Sequence, residues 1–156
     1  MTETQWLTAD EQRMWRAYLD SMRMLVTRLD QQLARDAGIS LTDYELLVTL
    51  SEAPERRMRM SMLATAVTAT RSGVTRAINR LVESGWVERV PCPDDRRGAL
   101  AVLTDAGAAK LADASPGHVA EVRTNVFDVL SPRDVERLTS TYSEMRSHMS
   151  ETSPRR

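Results

Sequence analysis

The sequence predicts a mainly α-helical fold of the α+β kind, with long helices at both ends flanking a short helical pair and a β-hairpin. Three observations carry this expectation. Apolar residues recur at helical spacing from Trp15 to Leu33. A short apolar segment, "MLATAV", and a longer amphipathic one, Arg71 to Ser84, are separated by "TAT" alone. Two strand-like runs, "WVERV" and "ALAVL", then bracket the charged stretch "PCPDDRRG".

The elements follow in order. Trp15, Tyr18, Leu19, Met22, Leu25, Val26, Leu29 and Leu33 form one stripe, so Asp10 to Ala37 reads as a single helix that Gly38 stops. A stripe that long needs a second chain to bury it. Thr42 followed by Glu45 reads as a capping box opening a second helix, with Leu46, Leu47 and Leu50 facing inward and Pro54 beyond its end. Polar Ser61 precedes the short helix, and Gly85 ends the longer one. The hairpin is expected to turn between Asp94 and Gly98, with Cys92 at its base. Thr104 caps a further helix bearing Ala108, Leu111 and Ala112. Pro116 and Gly117 either break that helix or kink it before "HVAEVRTNVFDVL" resumes the period. Ser131 with Pro132 starts the last helix, through Val135, Leu138, Tyr142 and Met145. The order of a short helix, three-residue turn, longer helix and charged hairpin is that of a winged helix-turn-helix. The chain, 1–156, thus reads as one domain: a winged helix-turn-helix lobe over 42–104, and a helical dimerisation region over 10–38 and 105–149.

Composition narrows the classes. The 156 residues allow one sizeable core. No run approaches the ~18 apolar residues of a membrane span, and the acidic N-terminus has no secretory pattern. A lone cysteine suits a reducing compartment, so a cytoplasmic protein is expected. Net charge is only −1, yet nine arginines stand against four acids between Arg56 and Arg97. That segment therefore carries +5 between ends that carry −6, the charge asymmetry of a nucleic-acid reader. His118 and His148 have no metal-ligand spacing around them, and no phosphate loop or nucleophile motif is present. Neither an enzyme nor a metal or other cofactor is expected.

In a helix-turn-helix the second helix enters the major groove by its first turns. Here Thr70, Arg71, Ser72, Thr75, Arg76, Asn79 and Arg80 occupy the polar side, and Val74, Ala77, Ile78, Leu81 and Val82 the apolar one. Short hydroxyls, a forked guanidinium and an amide are the groups that read base edges and grip phosphates. An ordinary solvated face would mix Glu with Lys, whereas the first acid here is Glu83. Double-stranded DNA is the expected partner.

The stretch "MLATAVTATRSGVTRAINRLVESGWVERVPCPDDRRGALAVLTDAGA" resembles the core of the MarR family of bacterial transcription regulators. The shared features are Thr75-Arg76 in the second helix, the "RLVESGWVER" exit, the "DRR" wing (Asp95, Arg96, Arg97) and the "LTDAG" restart, in order and correctly spaced. The long flanking helices extend the likeness over nearly the whole chain. The resemblance implies an obligate homodimer of triangular outline on a pseudo-palindromic operator, with a repressor expected. Recognition helices would enter successive major grooves and wings the flanking minor grooves. It also implies a small effector, such as an aromatic acid or phenolic, bound between the dimerisation helices and the DNA-binding lobe.

By that match Arg97 is the candidate for the minor groove and Arg96 for phosphate, with Asp95 holding a guanidinium extended beforehand. Trp15, Tyr18, Met22, Tyr44 and His118 are candidates to line the effector cleft, though each is also an ordinary core or surface residue. Two other readings remain. Cys92 would serve a redox-responsive regulator, but redox-sensing relatives carry their cysteine near the start of the first long helix. A winged helix used for protein contacts would need an apolar or acidic recognition face, and this one is basic.

Overall fold

A computed structural model describes residues 4–67, 71–92 and 95–152, and only the backbone of Arg71, Asp95, Arg96, Arg97 and Thr152. The described residues form α1 (Ala9–Ala37), α2 (Leu41–Glu52), β1 (Arg57–Arg59), α3 (Met60–Ala66), α4 (Arg71–Glu83), β2 (Val87–Cys92), β3 (Asp95–Leu103), α5 (Asp105–Asn125) and α6 (Pro132–Thr152). They fall into two compact units, Met1–His118 and Val119–Arg156.

Local chemistry sets most helix ends. Thr8 and Glu11 close a capping box ahead of α1, and Gly38 stops the helix at φ 66, where a side chain would be strained. Gly85, at φ 72, ends α4 in the same way. Thr104 Oγ1 accepts from Gly107 N at 3.0 Å and caps α5. Ser131 Oγ accepts from Asp134 N at 3.2 Å and opens α6, as the "SPRD" signal predicts. The helix α5 runs on through Pro116, so the proline does not break it.

Three expectations need correction. The cap of α2 is Ser40 with Asp43, not Thr42 with Glu45. Both pairs fit the capping pattern two residues apart. The earlier one wins because Gly38 delivers Ser40 in extended geometry, and because Asp30 of α1 already accepts from Leu41 N at 2.8 Å. Ser61, expected ahead of α3, lies inside it, since the helix leaves β1 directly at Met60. The sheet has three strands rather than two, in the order β1-β3-β2. The segment "RMR" of β1 is too short for its alternation to read as a strand, and it becomes one only by pairing with Leu100, Ala101 and Val102 far along the chain.

The main core packs α2, α3 and α4 against the sheet through Leu46, Leu50, Leu63, Val74, Ile78 and Leu103. A smaller cluster joins α1 to α2 and α5 through Leu33, Ile39, Tyr44 and Ala114. Trp86 and Leu111 touch both clusters, which ties the base of α1 to the lobe that carries α4. No helix among the described residues is long and apolar enough to cross a membrane.

Candidate nucleic-acid interface

The helix α4 divides cleanly by side. Val74, Ala77, Ile78 and Leu81 are buried, while Ser72, Thr75, Arg76, Asn79 and Arg80 are exposed. Val82, expected on the inner side, is half-buried against the same core. Thr70 lies outside the described residues, and of Arg71 only the backbone, at the start of α4, is described. The buried face fixes the rotation of the helix, so core packing decides which polar groups point outward.

The exposed residues are not equivalent. Asn79 Oδ1 accepts from Arg89 Nη2 of β2 at 2.5 Å, which orients the amide and ties the helix to the wing strand. Arg89 therefore adds a cation to this face that helical periodicity could not identify, because the pairing crosses two elements. Arg80 is committed elsewhere: its Nη2 lies 2.8 Å from Asp43 Oδ1 and 3.4 Å from Ser40 Oγ. The partner carboxylate is 7% exposed while Arg80 is 51% exposed, so one end of the pair is solvated and the other is not. Arg76 is exposed and makes no ion pair among the described residues. Of the other arginines in the basic segment, Arg56 pairs with Asp105 and Arg57 with Glu55.

The wing also differs from expectation. The ladder between β2 and β3 runs regularly from Val87↔Leu103 to Pro91↔Ala99, then shifts to Cys92↔Asp95. Asp95 thus begins a strand rather than the expected loop, and Arg96, Arg97 and Gly98 fall in the irregularity, opposite no residue of β2. Cys92 is buried and sits at the far end of the wing, not at its base. The strand β2 lies at the edge of the sheet, where a proline is tolerated, and it extends through Pro91 to Cys92. Asp94 of the expected tip lies outside the described residues, as do the side chains of Asp95, Arg96 and Arg97.

A second feature lies within the same compact unit. A hollow of about 380 Å³ opens between α1, α2 and the end of α3. Met22, Leu25 and Leu29 form one wall, and Tyr44 and Val48 another, with His118 packed beside Tyr44. The Tyr44 and His118 rings lie 4.3 Å apart, and the Tyr44 hydroxyl donates to Ser115 Oγ at 3.2 Å. Of the five residues expected at an effector cleft, Met22, Tyr44 and His118 line this hollow. Trp15 and Tyr18 do not; they stack on each other at 5.9 Å, nearer the start of α1. Glu45, missed because it reads as a cap residue, lines the hollow, and burial pushes its carboxyl above the usual range. Burial lowers the His118 imidazole, which is therefore neutral near pH 7. No group of three or more His, Cys, Asp or Glu among the described residues is arranged to hold a metal.

Known proteins share this fold. The model of the MarR family matches residues 39–98. A MarR family transcriptional regulator from Streptomyces coelicolor, solved in complex with DNA, is 45% identical; the match covers 99% of this chain and 94% of that one, with a TM-score of 0.86. AbsC, another MarR family regulator from the same organism, is 39% identical over 96% of this chain and 100% of its own, also with a TM-score of 0.86. The transcriptional regulator PecS of Dickeya dadantii is 29% identical over 123 residues, or 78% of this chain and 71% of that protein.

Proposed function

This chain belongs to the MarR family of transcriptional regulators, and from that membership we propose that it represses transcription as a homodimer on a pseudo-palindromic operator. The observation that carries the reading is the outward face of α4. Ser72, Thr75, Arg76 and Asn79 are exposed there, opposite buried Val74, Ala77, Ile78 and Leu81, and no acid intervenes before Glu83. Arg76 supplies a cation to that face and Arg89 a further charge beside Asn79, and on the sequence alone Thr70 and Arg71 are assigned DNA contacts at the start of the helix. On the sequence alone, Arg97 is assigned to the adjacent minor groove and Arg96 to phosphate, with Asp95 holding a guanidinium extended. A relative 45% identical was solved with DNA bound, which supports the same use of this fold here.

The dimer rests on apolar surface that one chain leaves uncovered. On α1, Met14, Trp15 and Met24 are exposed; on α6, so are Tyr142, Met145 and Met149. The hollow lined by Met22, Tyr44 and His118 is the proposed effector site. Its walls belong to α1 and α2, and the start of α2 is held to α4 by the Asp43–Arg80 pair. A ligand that displaces the start of α2 therefore shifts the recognition helix.

Titration of an operator duplex by Arg71→Ala and Arg76→Ala, each at several salt concentrations, tests the reading. Loss of a base-reading arginine should cost ~1–3 kcal/mol and relax specificity at one position of each half-site. Loss of a phosphate contact should weaken all sequences alike and shallow the salt dependence by about one. Unchanged affinity in both variants would contradict the placement of α4.

A further inference from the structure

We propose that the hollow between α1 and α2 is built for an organic cation with an apolar body, rather than for an aromatic acid. The inference rests on reading that hollow as the effector site and names the chemistry it selects. Its size, about 380 Å³, suits a small drug-like molecule, and its walls are largely aliphatic and aromatic. One ionisable acid faces it, Glu45, and no lysine or arginine lines it among the described residues.

The Glu45 carboxylate makes no hydrogen bond or ion pair with any described residue, and its desolvation has no counterion to offset it. A ligand ammonium or amidinium would supply that counterion, while a ligand carboxylate would place a second uncompensated anion beside the first. The usual attraction of a helix N-terminus for anions is already spent at α2. Asp30 takes the Leu41 N–H, and the Ser40 hydroxyl takes that of Asp43. His118, neutral near pH 7, offers no positive charge either, since burial disfavours its protonated form.

The test uses three probes of one shape, naphthamidine, naphthamide and naphthoate, titrated into the full-length protein and followed by NMR of the Met22, Val48 and Val67 methyl signals. Naphthamidine should bind at least about tenfold tighter than naphthoate. In Glu45→Gln, which keeps the shape and removes the charge, that preference should vanish while naphthamide binds as before. Melting of the variant at or above the wild-type temperature checks that its fold is intact. Val48→Phe, which narrows the hollow, should weaken all three probes together. Equal or tighter naphthoate binding with shifts at these methyls would overturn the cation assignment and keep the effector site. No shift by any probe at millimolar concentration would overturn the effector site itself, and the assignment with it.

Discussion

Met145→Asp should convert the protein from a dimer to a folded monomer and reduce operator affinity by two to four orders of magnitude. Leu138, Tyr142, Met145 and Met149 follow one another at alternating steps of four and three residues along α6, the spacing of a coiled-coil seam. Within one chain Tyr142, Met145 and Met149 are 46%, 40% and 57% exposed, so an aspartate there disturbs no core of the single subunit. In a dimer that buries the stripe, the same aspartate is an unpaired charge costing about 3–5 kcal/mol. Dissociation then removes the linkage between two half-site contacts, which accounts for the loss on DNA. Sedimentation at micromolar concentration with far-UV circular dichroism checks both parts. A monomer with native helicity is expected, and an unchanged dimer would remove α6 from the interface.

Arg80→Met should destabilise the fold by about 1–3 kcal/mol and weaken operator binding without changing its salt dependence. The reason is the one-sided burial of its partner. Asp43 is nearly inaccessible and, once Arg80 is removed, keeps only the Ser40 N–H and hydroxyl as donors. The opposite change, Asp43→Ala, removes the carboxylate half of the capping box while Ser40 still caps the helix, and leaves an arginine that can return to water. The double variant should therefore cost less than the sum of the two. A direct phosphate contact by Arg80 predicts otherwise: a salt dependence shallower by about one and additivity with Asp43→Ala. Denaturant unfolding and salt-resolved DNA titration of the three variants separate positioning from contact.

What the sequence reveals and what it hides divide along chain distance. Gly38, Gly85, Thr104 and Ser131 could be read in advance because a helix end is decided within a few residues. The inner and outer faces of α4 were equally legible, since helical period alone assigns Val74 and Ile78 to one side and Thr75 and Arg76 to the other. The strand β1 was not, because its existence depends on Leu100 and Val102 more than forty residues away. The same holds for the pairs Arg80–Asp43 and Arg89–Asn79, which join residues with no local relation. Glu45 shows a different failure. Its pattern with Thr42 is a valid capping signal, and only the competing Ser40–Asp43 pair turns it from a cap into the wall of a cavity.

Selection of bound duplexes from a random pool, carried out in parallel with the wild type and Arg76→Ala, tests sequence-specific operator recognition through α4 most directly. Two inverted half-sites spaced about one helical turn apart should be enriched by the wild type. The variant should lose either that enrichment or one position of each half-site. Recovery of unenriched sequence by the wild type, or the same motif with the same strength from both proteins, would contradict the account.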